Sequence, residues 1–160
     1  MEKFTFFWQN KSPFSQWHRS AFFSKDGFTY TCTEHFMMHR KAMLMGDDTT
    51  AAKIMNTPYN PREYKALGRQ VKPFNAQLWN ANCKEIVKQG NLLKFQQNPT
   101  LATSLKNTAG TTLVEASPYD KIWGIGLSED DPRAKSRNTW LGKNYLGEIL
   151  TEVRIELFGE

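Results

Sequence analysis

Short apolar runs of strand length open the chain, and from residue 33 onward the apolar positions recur mostly at helical spacing. Thr5-Phe6-Phe7-Trp8 predicts a short strand. Ala21-Phe22-Phe23 and Phe28-Thr29-Tyr30, separated by Lys25-Asp26-Gly27, predict a hairpin with an Asp-Gly turn. Thr33 is a suitable N-cap for a helix over 34–45. A short helix over about 48–55 has Asp47 or Asp48 at its start. Asn60-Pro61-Arg62-Glu63 places a capping Asn, Pro at N1 and Glu at N3, a helix start signal. Asn75 opens a long helix to about 95, on which Trp79, Cys83, Ile86, Val87, Gly90 and Leu93 share a face. Asn98-Pro99 begins another helix, which Gly110 stops. Strands are predicted again over 112–116 and 121–125. A last helix, about 144–157, carries Leu146, Ile149, Leu150, Val153 and Leu157 on one stripe.

Strands at both ends and helices between them predict an α+β fold: one compact domain over 1–160, with a small antiparallel or mixed sheet and several surrounding helices. The strands do not alternate regularly with helices, and no GxGxxG follows a strand, which speaks against a Rossmann domain. Hydrophobic residues at 39% and charged residues at 23% are ordinary for a globular chain of 160 residues. No window approaches the ~18 apolar residues of a membrane span. Met1-Glu2-Lys3-Phe4 has no signal-peptide pattern, so a cytoplasmic location is expected. Cys32 and Cys83 form neither a CxxC pair nor a disulfide framework and read as small packing residues in a reducing compartment.

The net charge of +5 and a pI near 9.2 favour anionic partners, either phosphorylated small molecules or nucleic acid. The basic residues, among them Lys41, Arg62, Lys65, Arg69, Lys72 and Lys94, are spread out and read mostly as a solvated surface.

The helix over 34–45 is chemically the most informative element. At 100° per residue, Lys41 falls within about 20° of Glu34, two turns along. Met37, Met38, Leu44 and Met45 flank the pair. Partial burial raises a carboxylate pKa and lowers that of a lysine, which suits an acid–base group and a nucleophilic amine. A buried structural ion pair accounts for the same pattern. His35 and His39, four apart, share a helix face. With no third ligand evident, they read as half-exposed imidazoles rather than as a metal site. Two Gly-rich segments, Ser117-Pro118-Tyr119-Asp120-Lys121-Ile122-Trp123-Gly124-Ile125-Gly126 and Trp140-Leu141-Gly142-Lys143-Asn144-Tyr145-Leu146-Gly147, let backbone approach a ligand or simply turn the chain. Trp79 and Trp123 can stack on a base or belong to the core.

Taken together and in order, these blocks resemble the NADAR family of YbiA-like N-glycosidases, whose name refers to NAD and ADP-ribose. The resemblance rests on Ser12-Pro13-Phe14-Ser15, Thr33-Glu34-His35-Phe36 with Lys41-Ala42, Gly68-Arg69-Gln70-Val71, and Trp79. It continues through Lys94-Phe95 with Asn98, Leu113-Val114-Glu115, Asp120 with Trp123-Gly124-Ile125-Gly126, Gly142-Lys143-Asn144 with Leu146-Gly147, and Arg154. It covers roughly residues 4 to 157. Two departures stand out: Gln16 occupies the place where the family commonly has Asn, and Ile125 follows the Trp-Gly pair where Asp is found in YbiA-like proteins.

The resemblance implies an α+β fold and cleavage of a C1′–N bond on a phosphorylated ribose. The substrate class is either early riboflavin-pathway intermediates or ADP-ribosylated guanine, free or on nucleic acid. It implies catalytic positions at Glu34 as acid–base, Lys41 as a partner of the anionic substrate or as an attacking amine, and Asp120 on the ribose hydroxyls or the water. Trp79 and Trp123 are then expected against the base, and Arg69, Asn144 and the backbone from Gly124 to Gly126 on phosphate and ribose. Ser15 is placed with the substrate-binding positions. No cofactor or metal is implied. Two other classes fit parts of the pattern: a reader of ADP-ribose that performs no hydrolysis, and a nucleic-acid-binding protein, for which no RNP, helix-turn-helix or zinc-finger motif is present.

Overall fold

Helices begin where the sequence supplies an acceptor for their first free N–H groups. In the computed structural model, which describes residues Met1–Glu160, Asp47 Oδ1 accepts from Thr50 N at 3.0 Å at the head of helix α2 (Asp48–Met55). Asn60 Oδ1 accepts from Glu63 N at 3.1 Å at α3 (Pro61–Arg69). Asn75 Oδ1 accepts from Leu78 N at 3.0 Å at α4 (Ala76–Gln97). Helix α1 (Thr33–Leu44) differs. Its N-cap position is Cys32, which offers no side-chain cap, and Thr33 is already helical. The carbonyl of Gln16 takes over, accepting from Glu34 N at 3.0 Å and from the Thr33 hydroxyl at 3.2 Å.

Helices and strands together form an α+β structure with two compact units, Gln16–Asn98 and the combination of Met1–Ser15 with Pro99–Glu160. The strands make two two-stranded pieces instead of one sheet. In the first unit, β2 (Phe22–Phe23) and β3 (Thr29–Tyr30) pair antiparallel, with Phe22 opposite Tyr30. The predicted turn closes them: Gly27 has φ 93, and Ser24 N donates to Phe28 O at 3.0 Å. Helix α1 packs against α2, α3 and α4, so its first two turns, Thr33 to His39, are buried on every side. Phe36 joins Phe22 and Tyr30 in a core that Phe28, Met55, Ile86 and Leu93 extend. Gly90 on α4 permits this approach, because a Cβ there would sit 2.7 Å from Phe36 Cδ1.

In the second unit, β1 (Phe4–Phe7) and β4 (Thr112–Glu115) pair in parallel, Phe4 opposite Thr112 and Phe7 opposite Glu115. The pleat sends Phe4 and Phe6 against Val114, Ile125, Leu127 and Ala134, with Trp140 alongside. Helix α5 (Pro99–Lys106) follows Asn98 as expected, and α6 (Tyr145–Phe158) packs on β4. A Cβ on Gly147 would overlap the Leu113 carbonyl, so the helix reaches the strand only through glycine. Two 3-10 turns, Pro132–Lys135 and Arg137–Thr139, lead into α6.

The predicted strand over 121–125 is absent. Those residues form an irregular loop whose N–H groups are bonded locally: Ile122 and Trp123 donate to Asp120 Oδ1, Ile125 to Glu115 O and Gly126 to Asp120 O. No ladder partner is left for them to serve, and the apolar character that suggested a strand reflects Ile125 and Leu127 entering the core. No helix is long and apolar enough to cross a membrane.

Candidate functional site

Within the unit Gln16–Asn98, the expected pair lies on α1 as the spacing predicts. Glu34 is 7% exposed and Lys41 is half-buried. The Lys41 ammonium lies 4.9 Å from the Phe74 ring centroid and 5.6 Å from that of Trp79, a cation–π arrangement with two aromatic rings. Burial pushes its pKa below the ordinary lysine value. The Glu34 carboxylate partly offsets that shift, and the Arg69 guanidinium adds to it. Glu34, Lys41, Arg69 and Trp79 are therefore neighbours in this unit. Arg69 is exposed at the last turn of α3, and Trp79 is half-buried in the first turn of α4. Phe74, 48% exposed, was not singled out by the sequence, because it precedes the Asn75 cap and belongs to no periodic stripe.

Two further residues reach this face of α1. The Gln16 side chain accepts at Oε1 from Asn91 Nδ2 at 3.0 Å, and its Nε2 lies 3.8 Å from Met37 Sδ. Asn91, on α4 and 0% exposed, also donates Nδ2 to Val87 O at 2.9 Å.

The histidines are core residues, which corrects the expectation of half-exposed imidazoles. Both are 2% exposed. His35 accepts at Nδ1 from Thr31 N at 3.2 Å, donates Nε2–H to Ile54 O at 3.0 Å, and stacks on Tyr64 with ring centroids 4.1 Å apart. His39 Nδ1 bonds the Tyr30 hydroxyl at 2.8 Å. Burial pushes both down to about 4. Lys94, expected on a solvated surface, is 0% exposed, and burial pushes it down to about 7. Cys32 and Cys83 are buried free thiols, and burial raises both, Cys32 to about 11, so neither is an activated thiolate.

The other candidates belong to the second unit, where the Gly-rich segments bond chiefly to one another. Asp120 Oδ1 accepts from Ile122 N at 2.9 Å and Trp123 N at 2.8 Å, which makes this carboxylate the organiser of its loop. The N–H groups of Ile125 and Gly126 are bonded to protein carbonyls, and the first N–H groups of α6, from Tyr145 and Leu146, donate to Ile122 O and Trp123 O. Two of the first N–H groups of α6 are thus capped by the chain itself. Asn144 is 0% exposed, with Oδ1 accepting from Glu115 N and Nδ2 donating to Leu113 O, each at 3.0 Å. Its side chain ties α6 to β4. Gly124 is required by close packing, since a Cβ would lie 2.9 Å from Glu115 O. Trp123 is half-buried and meets Tyr145 edge-on at 5.8 Å. Ser15 is 8% exposed, and its N–H donates to Ser12 O at 3.1 Å.

Against known proteins, a family model described as NADAR domain matches residues 6–158. N-glycosidase R617 of Acanthamoeba polyphaga mimivirus is 42% identical over 147 residues, covering 89% of this chain and 86% of that protein. Protein irg-1 of Caenorhabditis elegans is 38% identical over 170 residues, covering 97% and 80%. The NMR structure of the E. coli protein YbiA superposes with a TM-score of 0.78 at 25% identity, over 98% of this chain and 86% of that one.

Proposed function

The chain belongs to the NADAR domain family, and on that premise we propose that it is an N-glycosidase, a hydrolase that cleaves the C1′–N bond between a phosphorylated ribose or ADP-ribose and a base-type nitrogen. The observation that carries this reading is the buried Glu34 beside the Lys41 ammonium, which lies close to the rings of Phe74 and Trp79 on one face of α1. The relative named N-glycosidase R617 and the likeness to YbiA support the activity in general terms. The family match spans nearly the whole chain, which supports treating 1–160 as one functional domain.

Cleavage builds positive charge on the ribose and leaves electrons on the departing nitrogen. Glu34 has two tasks in this scheme. As an acid it gives its proton to the leaving nitrogen while the C1′–N bond breaks. As a base it then takes a proton from the water whose oxygen bonds to C1′. Lys41, with its ammonium destabilised by burial, either attracts the substrate phosphate with Arg69 or, as a free amine, attacks C1′ of the ring-opened ribose. In the second case the bond from C1′ to the Lys41 nitrogen forms, the C1′–base bond breaks as the amine's proton passes to the leaving nitrogen, and water hydrolyses the resulting imine to free the amine. Trp79 walls in the base. Asp120 organises its loop, and Asn144 ties the start of α6 to β4. Phosphorylated ribosides are charged and retained inside cells, which agrees with a cytoplasmic location.

The test is release of base, followed by chromatography, from ADP-ribosylated guanosine and from ribosylaminouracil phosphate. The wild type is expected to release base from at least one of them, and Glu34→Ala to lose about 10²–10⁴ in rate while remaining folded. A reader of ADP-ribose without hydrolysis would instead hold the ligand intact for hours, with a lifetime independent of Glu34.

A further inference from the structure

We propose that Gln16 is a specificity-determining residue of this site, whose side-chain N–H donates a hydrogen bond to an oxygen acceptor on the substrate between Glu34 and Lys41. The inference rests on the N-glycosidase reading for the identity of the substrate, and on the Gln16 network for everything else.

The network fixes which way the carboxamide points. Asn91 is fully buried, and Val87 O is an acceptor only, so the Asn91 group that faces it must be the NH₂. The second hydrogen of that NH₂ lies toward Gln16, 3.0 Å away, so Gln16 must present its oxygen to Asn91. Its own NH₂ is then turned away from α4. Its protein partner there is the Met37 thioether at 3.8 Å, a weak acceptor that leaves most of the capacity of two N–H donors unused.

Met37 is three residues after Glu34 and four before Lys41. At 100° per residue it lies within about 60° of the first and about 40° of the second. The donor end of Gln16 therefore sits on the Glu34–Lys41 face, one turn from each. The main chain of Gln16 is tied to the same place, because its carbonyl accepts the N–H of Glu34 at 3.0 Å. Gln16 as a residue is half-buried, between the buried Met37 and Asn91 that its side chain meets and solvent. A site that aims a fixed donor at a substrate oxygen discriminates against analogues lacking that oxygen, since the donor would then be left unpaired.

Two variants separate the side chain from the capping carbonyl, which both retain. Gln16→Glu keeps an oxygen for Asn91 and removes the donor, and Gln16→Met removes both. Steady-state kinetics on whichever of the two substrates is turned over, together with calorimetric Kd for ADP-ribose, are compared with the wild type after circular dichroism confirms folding. The expected result is a rise of about fivefold to tenfold in KM and Kd in both variants, with kcat within about twofold. Asn91→Leu should raise KM as well, and no further when combined with Gln16→Met, because Asn91 acts through Gln16. Unchanged KM and Kd in folded Gln16→Glu would overturn the proposal, as would a loss confined to kcat. A wild type that binds ADP-ribose but releases no base would sink the hydrolase reading and leave Kd to decide the role of Gln16. A wild type that neither binds nor cleaves would sink both.

Discussion

Lys41 illustrates how much of a residue's chemistry comes from its neighbours. Alone it is an ordinary lysine. Beside Phe74 and Trp79, partly buried and influenced by Arg69, its ammonium is less favoured than in water. If the amine attacks C1′, borohydride added during turnover should trap the ribosyl group on the protein. Lys41→Arg, which keeps the charge but forms no imine, should then lose both trapping and turnover. If Lys41 serves only as a charge, Lys41→Arg should retain substantial turnover with no trapping in either protein. Asp120 gives the opposite forecast. Its Oδ1 accepts two backbone N–H groups, a task that an amide oxygen also performs. Asp120→Asn should therefore keep kcat within about threefold of the wild type, whereas a general acid–base role would cost about 10²-fold or more. The Glu34–Lys41 pair was legible in the sequence because two turns of helix return a side chain to the same face. The Gln16–Asn91 pair was not, because the two residues are 75 positions apart and meet only through packing.

Among the elements, the helix starts at Asp47, Asn60 and Asn75 were legible because capping is a local hydrogen bond between residues three apart. The segment over 121–125 was misread for a related reason. Its backbone bonds run to the Asp120 carboxylate and to Glu115 and Asp120 carbonyls, and residue type alone does not show that a ladder will be missing. Helix α1 misled in a third way. A helical wheel assumes a wet side, yet α1 packs against three helices, so His35 and His39 fall in the core. The tightness of that packing is testable. Gly90→Ala would ordinarily favour an α-helix by about 1 kcal/mol. Here the added Cβ meets Phe36, whose ring is held by Phe22 and Tyr30, so the expected outcome is net destabilisation of about 1–3 kcal/mol, read as a lower Tm.

At the scale of the whole molecule, buried ionisable groups set the pH range of stability. His35 and His39 titrate near 4 in the folded chain and near 6.5 when unfolded, so between those values the unfolded chain binds more protons. Stability should fall as pH drops from about 6.5 to about 4, as measured by urea unfolding across that window. Lys94, about 7 folded and an ordinary 10.5 unfolded, adds a second interval from about 7 to about 9 in which stability rises with pH; above about 9 the Cys32 thiol, raised to about 11, opposes it. Lys94→Met should flatten the upper interval and leave the lower one unchanged. The α+β class was legible from the order of elements, whereas the division of the strands into one antiparallel and one parallel pair depends on pairings between distant segments. The central claim is that a carboxylate on α1 drives cleavage at C1′, and the most direct measurement is base release by Glu34→Gln, which preserves shape and removes the ionisable group. The account predicts a folded protein with normal ADP-ribose affinity and turnover reduced about 10²-fold or more on every substrate the wild type cleaves. Turnover equal to that of the wild type in the folded variant would contradict it.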